Sequence, residues 1–178
     1  MMADCLAGEM MISGRCLYFI SYSFQNSHPI HRTLGLGKTE RRVNEPKLVT
    51  SLLNTKISQI ACGESFAAVV SNEGELFLCG RGSDGQLATG NRDDSSFFIK
   101  VRNLPHSPVA KVSCGGGHVA ALLENGSIYV WGRGRNGQLG RSDHIESIAA
   151  HRLTPVECSF FKDKKILDIV SNIIFISP

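Results

Sequence analysis

VAKVSCGGGHVAALLENGSIYVWGRGRNGQL, residues 109–139, repeats ISQIACGESFAAVVSNEGELFLCGRGSDGQL, residues 57–87, at a constant offset of 52 positions. Cys62, Gly63, Gly74, Gly80, Gly82, Gly85, Gln86 and Leu87 match Cys114, Gly115, Gly126, Gly132, Gly134, Gly137, Gln138 and Leu139. Eight such positions in register make the chain part of a repeat array. Working outward, ILDIVS from Ile166 opens a further copy, and Leu34, Gly35, Leu36 and Gly37, followed by Glu45 and Pro46, close an earlier one.

Each unit reads as strands. Val119 to Leu123 and Ser127 to Trp131 are short and rich in β-branched, aromatic and small apolar residues, and Glu124, Asn125 and Gly126 separate them. Asn-Gly readily takes the φ > 0 geometry of a tight hairpin, so the two form an antiparallel pair. Val109 to Ser113 supplies a strand before them. Arg152 to Val156 supplies an edge strand after the glycine loop, because Pro155 is tolerated only where no ladder donor is needed. Four strands in about 50 residues make a propeller blade. The expected fold class is therefore all-β, with four-stranded antiparallel blades of an incomplete β-propeller.

Cys114-Gly-x-x-His118, Ala121-Leu-Leu, Gly126-x-Ile-Tyr-x-Trp-Gly132 and Asn136-Gly137-Gln138-Leu139-Gly140 together resemble the repeat of the regulator of chromosome condensation family. The resemblance covers roughly residues 34–170 and implies a closed seven-bladed propeller, of which this chain holds two full units and two partial ones. It also marks Cys62, Gly63, Gly80, Gly85, Gln86, Leu87, Cys114, Gly115, His118, Trp131, Gly132, Gly137, Gln138, Leu139 and Gly140 as the structural signature. The domain reading is an atypical segment 1–33, repeats over 34–170 and a non-repeat tail 171–178.

The departures are specific. Phe66 stands where the family has histidine, and Ala88 stands where it has the glycine of Gln-Leu-Gly, so that loop is expected to pack differently. Asn172 replaces the next expected glycine, and Ile173 to Pro178 leave the pattern. Tyr18 to Arg32 occupy the place of a strand and glycine loop yet contain neither Trp nor Gly. Both ends are expected to be foreign to the array, as in a truncated product of a longer gene.

Composition sets bounds. The chain is 42% hydrophobic and 20% charged, with a formal net charge of +3. No stretch approaches the roughly 18 consecutive apolar residues of a membrane span, and Asp4 and Glu9 stand where a secretory signal would be basic. An intracellular protein, in cytoplasm or nucleus, is expected. Its six cysteines show no Cys-x-x-Cys spacing and read as free, buried thiols.

Several chemistries are excluded. Gly80-x-Gly82-x-x-Gly85 and its copy Gly132-x-Gly134-x-x-Gly137 have dinucleotide-binding spacing, but Gln86 to Asp94 form no amphipathic helix to receive a pyrophosphate. The glycines serve turns instead. His118 lies inside the repeat motif, where its side chain satisfies neighbouring backbone, and no nucleophile with an orienting carboxylate accompanies it. Asn125-Gly126-Ser127 is a hairpin rather than a glycosylation acceptor. Trp131 packs between blades with its N–H on a partner. No catalytic residue, metal ligand or cofactor is assigned.

What remains is binding. Arg81, Arg133, Arg135 and Arg141 fall in or beside equivalent glycine loops and gather on one rim, where Asp84, Asp93, Asp94 and Asp143 dilute their field. Arg81, Asp84, Arg133, Arg135 and Asn136 are the candidate partner contacts. The expected function is a protein-interaction module without chemistry of its own. The alternative, which the resemblance supplies, is a guanine nucleotide exchange factor for a Ran-like small GTPase; chromatin contact comes from the resemblance alone. Open blade edges offer a route to self-association.

Overall fold

A computed structural model describes residues 35–37, 47–140, 151–161, 164 and 166–171, together with the backbone of three strands nearer the N-terminus. Residues 172–178, and with them Asn172 and the tail, lie outside the described residues, as do Arg141 and Asp143.

Three four-stranded antiparallel sheets follow one another, each in simple sequence order. The first holds β1 (Met2–Cys5), β2 (Gly8–Ser13), β3 (Cys16–Ile20) and β4 (Lys47–Leu48). The second holds β5 (Ile57–Cys62), β6 (Phe66–Ser71), β7 (Leu76–Gly80) and β8 (Ser95–Lys100). The third holds β9 (Val109–Cys114), β10 (His118–Leu123), β11 (Ile128–Gly132) and β12 (Arg152–Glu157). Meanders of this kind, stacked face to face, are propeller blades. The first strands lie nearest one another, since β5 touches both β1 and β9. β12 carries Pro155 at the sheet edge.

Alternation explains why β6 and β10 read as continuous apolar runs: both faces of a blade are covered. Phe66, Ala68 and Val70 of β6 point into the same cluster as Val119, Ala121 and Leu123 of β10, along with Leu78, Leu87 and Trp131. Ala67 and Val69 point the other way, towards Val49, Leu52, Cys79 and Phe98. On the far side of the third sheet, Leu122, Ile128 and Val130 meet Leu139, Cys158 and the partly buried Phe161, Ile166 and Ile169. A blade is thus filled by its neighbours rather than by itself, which is the energetic signature of a repeat protein.

Polar contacts join the inner strands. Gln59 on β5 donates from Nε2 to the Val112 carbonyl at 3.2 Å and accepts the Val112 N–H on Oε1 at 2.9 Å. The next blade repeats the relation with residues 166–171: Lys111 pairs with Asp168, and Ser171 N–H donates to Ser113 Oγ at 2.7 Å.

The outer strands are fastened by the preceding unit. Gly37 N–H donates to the Ser96 carbonyl of β8 at 2.9 Å, and Gly90 N–H donates to the Leu153 carbonyl of β12 at 3.1 Å. Both acceptors lie where register slips against the neighbouring strand. In β8 the slip leaves Phe97 to Ser95, whose Oγ accepts the Phe97 N–H and donates to its carbonyl.

Ala88 adopts φ 58°, the conformation of its counterparts Gly35 (φ 66°) and Gly140 (φ 61°), so its loop keeps the same path, while its packing differs: a buried methyl at 4% exposure joins the core there. The expectation of thiols throughout is corrected at Cys62, which is disulfide-bonded, while Cys79, Cys114 and Cys158 are buried thiols. Burial in apolar surroundings pushes the Cys79 and Cys114 thiols far up from their ordinary range, so both are unreactive packing groups.

Candidate functional site: the loop rim between blades

The glycine loops after β7 and β11 are built by the same devices. Gly80 and Gly132 end their strands at φ 114° and φ 94°. A Cβ on Gly132 would stand 2.4 Å from the Gly117 carbonyl oxygen, and one on Gly80 would stand 2.6 Å from the Ser65 oxygen. The chain can leave the sheet only because no side chain is present. The N–H groups of Arg81 and Arg133 then close onto those same carbonyls at 2.8 Å. Beyond the turn, Gln86 Oε1 accepts the Asp84 N–H at 2.9 Å and Gln138 Oε1 accepts the Asn136 N–H at 2.7 Å. Each Gln therefore staples its own loop, and Leu87 and Leu139 bury the loop's end.

Signature residues on the strands complete the frame. Phe66 lays its ring over Gly63, and His118 lays its ring over Gly115; a Cβ on either glycine would stand 2.0 Å from that ring. Phe66 and His118 thus occupy one shape. Burial, then the charge of Arg133, holds the His118 imidazole below its ordinary range, so it is neutral at pH 7. Trp131 is fully buried and donates Nε1–H to the Gln86 carbonyl of the preceding blade at 2.9 Å.

Across the blade boundary the structure brings Asp84 and Arg133 together. Arg133 donates from Nε at 3.1 Å and from Nη2 at 2.7 Å, both to Asp84 Oδ2. Gly117 makes room, since a Cβ there would lie 2.9 Å from Asp84 Oδ2 and 3.1 Å from Arg133 Nε. The other Asp84 oxygen faces His151, a residue that the sequence did not single out, at 3.5 Å from Nδ1. The His151 side chain is 5% exposed, though the residue as a whole is half-buried, and its Nδ1 has no hydrogen-bond partner among the described residues. Burial lowers its pKa, Asp84 acts in the opposite sense, and Arg92, Arg135 and Arg133 add to the lowering.

The remaining candidates stay in their own loops. Arg81 Nε donates to Ser83 Oγ at 2.7 Å, and Asn136 is tied to Gln138. Arg135 is exposed. Among the described residues no group of His, Cys, Asp and Glu is arranged to hold a metal, and no helix is long and apolar enough to cross a membrane.

Blades of this construction define a class, the repeat-built β-propeller with its loops presented on a rim. The sequence profile described as "Regulator of chromosome condensation (RCC1) repeat" matches residues 31–70, 73–122 and 125–171, and a second profile of the same description matches 57–86 and 109–138. The chain belongs to the RCC1 repeat family. It is 37% identical over 109 residues to the Ultraviolet-B receptor UVR8 of Arabidopsis thaliana, covering 61% of this chain and 25% of that one. It is 34% identical over 176 residues to the probable E3 ubiquitin-protein ligase HERC4 of Homo sapiens, covering 95% and 15%. Among solved structures, Prp20p of Saccharomyces cerevisiae superimposes with a TM-score of 0.79 at 18% identity, covering 97% of this chain and 41% of that one. The chain therefore spans well under half the length of each.

Proposed function

We propose that this chain is a protein-interaction module that presents the loop rim of its blades to a partner protein. The observation that carries the reading is the Asp84–Arg133 pair, which ties loops of two blades into one continuous surface. A rigid scaffold under variable loops is what recognition needs.

Prp20p, which has binding properties to Gsp1p and histones, supports a protein partner by analogy of fold. The same likeness motivates the second reading, exchange activity on a Ran-like GTPase. Release of a fluorescent GDP analogue separates the two. No acceleration at micromolar chain, together with a partner captured by the wild type and lost with Arg133→Glu, supports the module. Acceleration of release overturns it in favour of exchange.

A further inference from the structure

The acidic and basic residues of the rim are used differently. Asp94 Oδ1 accepts the Gly82 N–H at 2.8 Å, Asp93 Oδ2 accepts from Asn91 Nδ2 at 2.8 Å, and Asp84 accepts from Arg133. These carboxylates are occupied in holding loops together. The arginines are not consumed in the same way. Arg81 gives one donor to Ser83 Oγ, and Arg92 gives one, Nη1, to the Ser83 carbonyl at 3.0 Å. Both guanidiniums are exposed and flank a single residue, each with further N–H groups in a planar fork. Arg135, also exposed, sits in the equivalent loop of the next blade, which the Asp84–Arg133 pair ties to this one.

Resting on the module reading above, we infer that Arg81, Arg92 and Arg135 form a docking patch for an acidic, Asp/Glu-containing segment of a partner protein. Anchoring on Ser83 holds two forks in place before the ligand arrives, which lowers the ordering cost of a bidentate carboxylate contact. The patch is short and bordered by Asp84, Asp93 and Asp94. A long polyanion such as a nucleic-acid duplex would run on past the arginines onto those carboxylates, whereas a short acidic segment would not. The chain's net charge of only +3 gives no long-range pull on nucleic acid.

The test measures anisotropy of fluorescein-labelled hexaglutamate and, separately, of a labelled 20-base-pair DNA duplex, with the full chain at low ionic strength. Binding of hexaglutamate that weakens at least ~10-fold in Arg81→Glu/Arg92→Glu, and that falls with added salt, supports the patch. Arg102→Glu, an exposed arginine beyond the far end of β8, should leave it unchanged. The sole tryptophan, Trp131, reports that each variant is folded. Equal binding by wild type and Arg81→Glu/Arg92→Glu overturns the inference, as does tighter binding of the duplex. If the protein partner is still captured by Arg81→Glu/Arg92→Glu, the patch fails while the module reading stands.

Discussion

Gly132→Ala tests the geometry of the glycine loop at its tightest point. Gly132 pairs across the sheet with His118, and the new Cβ would lie 2.8 Å from the His118 Cα as well as 2.4 Å from the Gly117 oxygen. Both contacts are backbone, so no side-chain rotation relieves them. Placing alanine at φ 94° costs ~1–2 kcal/mol, and the forced backbone shift adds ~1–3 kcal/mol. Restricting the unfolded chain returns roughly 0.5–1 kcal/mol. The net loss is about 3 kcal/mol. Gly126→Ala isolates the conformational part, because Gly126 has φ 86° and nothing within 4 Å of its built Cβ; its cost should stay near 1 kcal/mol. Urea unfolding followed by Trp131 fluorescence reads both, since the probe sits beside one site and is the chain's only tryptophan. With a slope of about 2 kcal/mol/M, Gly132→Ala should move the midpoint by about 1.5 M and Gly126→Ala by about 0.5 M. Equal shifts would refute the argument that close backbone approach, rather than φ alone, dictates glycine there.

Three further outcomes follow from the same contacts. His118 has a folded pKa below its unfolded value, so its contribution is present above about pH 6.5 and is lost on acidification, as the unfolded chain takes the proton. His118→Phe, a ring that Phe66 shows the site accepts, should flatten the stability profile between about pH 7 and 5, leaving a residual slope of the same sign from His151; an unchanged profile by denaturant titration would count against it. Asp84→Ala and Arg133→Ala should couple by about 1 kcal/mol in a double-mutant cycle, modest because the Arg133 side chain is 38% exposed. Additive losses would mean the pair does not join the blades. Gln59→Leu should cost ~1–3 kcal/mol by leaving the Val112 N–H and carbonyl without their side-chain partner, and thermal unfolding by circular dichroism would detect it.

The 52-residue offset made most of the architecture legible, because a repeated hairpin signal fixes strand order and leaves packing to neighbouring copies. The strands expected at Val109–Ser113, Val119–Leu123, Ser127–Trp131 and Arg152–Val156 appear within a residue or two of those bounds. β8 was harder to see: its register slip breaks the two-residue alternation on which strand reading depends. The stretch from Tyr18 to Arg32, at and after the end of β3, has neither the tryptophan nor the glycine loop that mark the other blades. At Ala88 the sequence shows the extra methyl that packs into the core, but not that the surrounding loop imposes the left-handed turn on a residue other than glycine. At the rim, Asp84 and Arg133 stand out as loop residues, but their meeting depends on adjacent blades bringing successive loops side by side at a separation of 49, not 52. His151 carries no motif at all. Its burial is a product of the assembled boundary.

The fastening of each outer strand by the preceding unit has a direction. The loop at Gly37 is synthesised before Ser96, the loop at Gly90 before Leu153, and the carbonyl of Gln86 before the Trp131 indole that binds it. Every one of these contacts lands a later segment on an earlier one. A blade leaving the ribosome therefore meets a dock already in place, and assembly can proceed from the N-terminal side without waiting for distant sequence. Removal of an early loop would unfasten the blade that comes after it, not the one that contains it.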